Sequence, residues 1–141
     1  MPTLTRLNHV LTPLNKVHQV IISLASNRFQ KTNLSKARRC LEEILSDLQF
    51  TDECWTEPVG NAMRRDAYLN QLVKGTTEMD ESALNAWLKQ TELHFGRTDA
   101  KRRLGIVPID LDLLLFDGEQ RHQRDWQRNY VKDLIGQLTE R

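Results

Sequence analysis

Two carboxylates stand one residue apart in the run Ile109-Asp110-Leu111-Asp112-Leu113-Leu114-Leu115-Phe116. Side chains of a strand alternate between faces, so Val107, Ile109, Leu111, Leu113 and Leu115 are expected on one aliphatic face of a strand from Val107 to Phe116. Asp110 and Asp112 then share the other face, their Cβ atoms roughly 6.5 Å apart from about 3.3 Å of rise per residue. Acids that close repel, and water, an arginine or a divalent cation has to offset the repulsion. Hard oxygen donors of this kind suit Mg²⁺, which keeps several waters and takes phosphate oxygens as further ligands. Two solvated acids on an exposed strand face are the plainer alternative. Just upstream lies the basic loop 97–105, RTDAKRRLG, with Arg97, Lys101, Arg102 and Arg103 against one acid. Acids for a metal beside cations for phosphate is the combination that phosphoryl-type transfer requires, because that chemistry is mostly positioning and charge neutralisation.

The elements that must hold these groups can be read from periodicity. Residues 17–24, VHQVIISL, are β-branched and apolar and suit a buried strand, ended by Ala25-Ser26-Asn27. Leu34, Ala37, Leu41, Ile44, Leu45 and Leu48 recur at helical spacing and predict a helix over 33–48, capped by Asn33 or Thr32. Residues 49–57 are expected to be extended, with a break at Pro58-Val59-Gly60 and a polar loop through 66. A strand is expected over 68–77. A second helix follows, with Asp80 as its cap, Leu84, Trp87, Leu88, Thr91 and Phe95 on its buried side and Gly96 as its stop. Within 123–139, Trp126, Tyr130, Val131, Leu134, Ile135 and Leu138 suggest a last amphipathic helix, at least from about 130. Strand, helix, strand, strand, helix, strand, helix is the order of a ferredoxin-like α+β sandwich: a mainly antiparallel sheet with helices packed on one face.

Composition limits the class. The 141 residues match one domain, with residues 1–16 as a loosely ordered arm and 17–139 as the α+β unit. Twenty Lys and Arg against 19 Asp and Glu leave a net charge of +1, which argues against a nucleic-acid coat, as does the lack of an aromatic-rich RNA-binding strand. No apolar run is long enough to span a membrane. Cys40 and Cys54 form neither a disulfide framework nor a zinc motif, and a reduced, cytoplasmic setting is expected. A ferredoxin-like interaction module without a ligand is compatible with all of these features.

The spacing of Glu92-Leu93-His94-Phe95-Gly96-Arg97, thirteen positions before Asp110-Leu111-Asp112-Leu113-Leu114-Leu115-Phe116, resembles the signature of 6-hydroxymethyl-7,8-dihydropterin pyrophosphokinases of folate synthesis. Ser23-Leu24-Ala25-Ser26-Asn27, Thr56-Glu57-Pro58-Val59-Gly60 and Tyr68-Leu69-Asn70 resemble further segments of that family, in order, over roughly residues 19–135. The resemblance implies the same sandwich fold. It also implies transfer of the β,γ-diphosphate of ATP to the hydroxymethyl group of a reduced pterin, with two Mg²⁺ on Asp110 and Asp112. By the same resemblance Thr56, Val59 and Asn70 would face the pterin, and Tyr68 and Tyr130 would offer it an aromatic surface. Arg97 would serve the reaction and, with Glu92, border the nucleotide. Lys101, Arg103, His122 and Arg128 would be the remaining ATP contacts. No nucleic-acid or membrane partner is implied, and the oligomeric state is left open. The chain departs from the pattern where the family has an aromatic residue and an arginine: here stand Leu104 and Val107. The segment between Phe116 and His122 is also short. Arg102 or Arg103 is a candidate substitute for the arginine. A relative that binds these ligands but turns over poorly is the second reading.

Overall fold

The structure, a computed structural model, describes residues 16–58 and 66–138. Most of the proposed N-terminal arm and Val59, Gly60, Arg64 and Arg65 therefore lie outside the described residues. The elements are β1 (His18–Ser26), α1 (Gln30–Leu41), β2 (Ser46–Phe50), β3 (Cys54–Thr56), β4 (Tyr68–Thr77), α2 (Glu81–His94), α3 (Asp99–Arg103), β5 (Asp110–Phe116), β6 (Glu119–Gln120) and α4 (Asn129–Ile135), with a 3-10 turn at Asp125–Gln127. The sheet runs β2-β4-β1-β5-β6, with β3 also paired to β4. Every pairing is antiparallel. The crossover β1–α1–β2 leaves room for β4, and β4–α2–β5 leaves room for β1. Two interleaved split βαβ units of this kind make the ferredoxin-like α+β sandwich.

One face of the sheet, with Val20, Ile22, Leu24, Leu69, Val73, Ile109, Leu111 and Leu113, packs against Leu34, Ala37 and Leu41 of α1 and Leu84 and Leu88 of α2. Both crossover helices thus lie on one face as expected, and the C-terminal helix departs from that expectation because its apolar stripe has a second core to cover. The C-terminal helix α4 lies on the other face, where Val131, Leu134 and Leu138 cover Ile21, Leu72 and Leu114. It covers only the end of that face nearest the start of β1. The remainder carries Ser23, Ala25, Asn70, Asp110 and Asp112.

Three local expectations are corrected. First, α1 begins at Gln30 and stops at Leu41, rather than running over 33–48. Phe29 occupies the N-cap position with a left-handed backbone (φ 47°) and no side-chain cap, and the Asn33 amide instead donates back to the Arg28 carbonyl at 2.6 Å. Ile44, Leu45 and Leu48 keep the helical spacing because the turn and β2 feed the same core as α1. Second, β1 continues through Ala25 and Ser26, paired with both β4 and β5 at Ala25. Third, β5 begins at Asp110, so Val107 belongs to the preceding loop and not to the aliphatic face of the strand.

Within β5 the alternation is broken once. Ile21 pairs with Leu115 and Ile22 with Leu113, so Leu114 is an inserted bulge residue. Leu114 and Leu115 both turn toward α4, and Phe116 returns to the first core. Leu115 therefore leaves the face expected for it. The Leu114 carbonyl, displaced from the ladder, accepts the Arg121 N–H at 2.8 Å and the Trp126 indole N–H at 3.0 Å.

Leu111 is 4% exposed among α2 and the central strands. Leu111→Ala is expected to cost about 2–5 kcal/mol in urea denaturation. A loss below about 0.5 kcal/mol, the range of surface changes, would mean that Asp110 and Asp112 point inward instead.

Candidate active site

Asp110 and Asp112 stand on the open end of the α4 face. Across β1 they meet the two smallest side chains available: Asp110 is level with Ala25 and Asp112 with Ser23. Asn70 of β4 is level with Ala25 from the opposite side. The small pair on β1 leaves a hollow between the acids and Asn70. This hollow is a cleft of about 350 Å³, lined in part by Thr56, Tyr68, Asn70, Val107, Arg128 and Tyr130. A second cleft, about 340 Å³, lies on the α2 side and is lined in part by Asn85, Lys89, Glu92, Arg97 and His122. Asp110 and Asp112 line both clefts.

The acids are held by α2 and its terminus. Asp80 caps α2 through Ala83 N–H at 2.8 Å, and Gly96 (φ 88°) ends it, which turns Arg97 back toward β5. Arg97 Nη1 donates to Asp110 Oδ1 at 2.7 Å and lies 3.0 Å from Glu92 Oε1. The other Glu92 oxygen, Oε2, accepts the Leu111 N–H at 2.8 Å. β6 pairs with β5 only at Leu115 and Phe116, so this N–H lies on an open stretch of strand edge and Glu92 satisfies it. Glu92 is thus tied to both the strand and the arginine. Burial outweighs these two partners and raises its pKa above the usual carboxylate range.

Burial, reinforced by the neighbouring Asp110, pushes the Asp112 carboxyl up to about 8. Asp112 is the acid that most needs a cation. Glu92, Asp110 and Asp112 each offer a carboxylate oxygen, all within 4.8 Å of one another. That donor set fits a hard divalent ion such as Mg²⁺. His122 Nε2 stands 4.0 Å from Asp112 Oδ1, on a residue with positive φ (52°).

The pterin-side candidates come together. Asn70 is 3% exposed, and its amide nitrogen donates to Thr56 Oγ1 at 2.8 Å and to the Cys54 carbonyl at 3.0 Å. These acceptors fix the orientation of the amide, and Asn70 lines the cleft. Burial raises the Tyr68 hydroxyl, with help from Asp110, and pushes that of Tyr130 up to about 12, so both stay neutral donors. Arg128 lines this cleft and not the one beside His122, its Nε 3.1 Å from Asp125 Oδ1. Lys101 and Arg103 line neither cleft; of the loop cations, Arg102 lines the first. Val59 lies outside the described residues.

Three residues that line the clefts carry no role in the sequence reading. Asn85 and Lys89 precede Glu92 at helical spacing, a signal that was available but hidden behind the apolar stripe beside it. Asn27 had no local signal beyond its turn. It is 4% exposed and accepts the Val107 N–H through Oδ1 and donates to the Gly105 carbonyl through Nδ2, each at 2.7 Å. Its own N–H donates to the Val107 carbonyl at 3.0 Å. Three bonds from one residue thus anchor the exit of the basic loop to the end of β1. Trp126, by contrast, is an anchor packed against the second core.

The fold is a ferredoxin-like sandwich, and its paired carboxylates lie on the wall between two polar clefts. The family model described as 7,8-dihydro-6-hydroxymethylpterin-pyrophosphokinase matches residues 21–140, and the chain belongs to that family. It is also 29% identical over 133 residues to a folate synthesis bifunctional protein of Arabidopsis thaliana, a match that takes in 84% of this chain. The chain spans 27% of that relative's length.

Two measurements check this geometry. An unfolded chain ionises Asp112 near its ordinary 3.8, whereas the folded protein holds the proton to about 8. Stability from this group is therefore complete below the unfolded value and lost as pH rises through that window. In thermal melts without divalent ions, Asp112→Asn should match wild type at about pH 4 and exceed it at about pH 9. A gap that does not widen with pH contradicts the assignment. Separately, Asn27→Ala should speed tryptic cleavage within 101–103 while costing about 1–3 kcal/mol, since two buried side-chain hydrogen bonds are lost. Unchanged cleavage would mean the loop is held by other contacts.

Proposed function

We propose that this chain transfers the β,γ-diphosphate of ATP to the hydroxymethyl group of 6-hydroxymethyl-7,8-dihydropterin. The observation that carries the reading is the placement of Asp110 and Asp112 on the wall common to two clefts of different character. Asn70 and the two tyrosines give one cleft a fixed acceptor and neutral rings, which suit a flat heteroaromatic with N–H donors. Lys89, Arg97 and His122 give the other the donors and cations that a polyphosphate needs.

In this reading the hydroxymethyl oxygen gives up its proton to solvent and bonds to the β-phosphorus, the bond from that phosphorus to the α,β-bridging oxygen breaks, and AMP leaves with that oxygen. Asp110 and Asp112 would hold two Mg²⁺, which when bound neutralise phosphate charge and bring the reacting oxygens together. Arg97 keeps Asp110 oriented, and Glu92 keeps both Arg97 and the Leu111 backbone in place. Asn70 orients the acceptor, its nitrogen being engaged by the protein already. The basic loop, anchored by Asn27, closes the acceptor side. Among the described residues no helix is long and apolar enough to cross a membrane, and Cys40 and Cys54 are free thiols; a reduced, cytoplasmic setting belongs to the same reading.

A second reading has one observation in its favour. Val107 lines the acceptor cleft at the position where the family resemblance calls for arginine. A protein that binds both ligands but turns over slowly would follow from that loss.

Calorimetric titration with a non-hydrolysable ATP analogue and Mg²⁺, then with the pterin, separates these readings from a ligand-free module, which would give neither heat. Asp112→Ala is expected to abolish Mg²⁺-dependent AMP release while the fold survives. Turnover at the wild-type level in that variant would sink the assignment of the acids.

A further inference from the structure

The acceptor cleft is short of positive charge. Asp110, Asp112, Asp125 and Glu57 face it, against Arg102 and Arg128. A diphosphate arriving there adds more negative charge. Arg128 is already engaged inside the cleft by Asp125 at 3.1 Å. Arg102 is different: its partner at 3.0 Å is Asp99, which does not line the cleft, and the two side chains are 67% and 79% exposed. An exposed pair of this kind is weak and exchanges readily, so Arg102 can turn inward and leave Asp99 to water.

Its base is anchored. Thr98 Oγ1 caps α3 through the Lys101 N–H at 3.1 Å, and the Lys101 carbonyl accepts the Ile106 N–H at 2.8 Å. Asn27 holds the residues that follow. The flexible part is therefore the side chain alone. Val107 borders the same cleft with no charge to offer.

We infer that Arg102 grips the diphosphate on the acceptor side of Asp110 and Asp112. The inference rests on the diphosphokinase reading. A guanidinium fork matches two phosphate oxygens, and its charge replaces what Val107 lacks. The diphosphate reaches that side only as transfer proceeds. Losing Arg102 therefore lowers kcat more than it raises the KM for ATP.

The test combines steady-state kinetics with calorimetric titration of Mg²⁺ plus inorganic pyrophosphate on the full chain. Arg102→Ala should lower kcat by about tenfold or more, with the KM for ATP within about twofold, and should weaken pyrophosphate binding by about tenfold. Arg102→Lys should fall between, and Val107→Arg added to Arg102→Ala should recover part of the loss. Arg39→Ala, which removes the same charge from the exposed side of α1, serves as the control. If either the turnover or the pyrophosphate affinity of Arg102→Ala equals that of wild type, the assignment is overturned while the diphosphokinase reading stands. If wild type itself does not convert the pterin, the reading fails instead. The pyrophosphate titration then decides Arg102 alone: weaker binding supports it and equal binding overturns it.

Discussion

Keeping two carboxylates side by side and largely out of water is the constraint around which this protein is arranged. Asp112 bears most of the penalty, visible as a proton held to about 8. Each neighbour can be understood as managing that charge or leaving room for what will manage it. Arg97 comes from a helix end turned back by Gly96, and Glu92 one turn earlier steadies the arginine and the strand together. Ser23 and Ala25 keep the floor open beside the acids. The core beneath, from Ile109, Leu111 and Leu113 onto α2, fixes which way the acids face.

What could be read beforehand divides along physical lines. The acid pair, the Glu92–Arg97 spacing and the split βαβ order rest on periodicity and short-range spacing, which the chain carries locally. The stop of α1 at Leu41 was hidden because Ile44, Leu45 and Leu48 enter the same core by another route, and hydrophobic spacing does not record the route. Asn27 and Asn70 were harder. Their roles depend on partners 78 to 80 and 14 to 16 residues away, fixed by strand pairing and not by any local pattern. Arg128 and His122 fell to opposite sides of the acids because the turn at Asp125–Gln127 comes between them.

The floor of the first cleft and the basic loop beside it are tied together. Asn27 joins the end of β1, whose Ala25 and Ser23 floor that cleft, to the loop that carries Arg102 and Val107. Motion of that loop is therefore registered at the strand that spaces Asn70 from Asp110. An asparagine suits the position because it can donate and accept at once, satisfying a carbonyl and an N–H of the same loop; aspartate or leucine would leave at least one of them unpaired in a buried place.

The bulge at Leu114 separates chain length from strand polarity. In an unbroken strand, one residue more or less would invert every side chain beyond it and send the acids into the core. Here Leu113 and Leu115 already face opposite sides, so a strand without Leu114 would alternate regularly and keep Asp110, Asp112, Leu115 and Phe116 where they are. What would be lost is the carbonyl that receives Arg121 and Trp126. The docking of the C-terminal segment, with His122, Arg128 and Tyr130 on it, can thus vary by insertion and deletion at one point while the frame that carries the two acids stays intact.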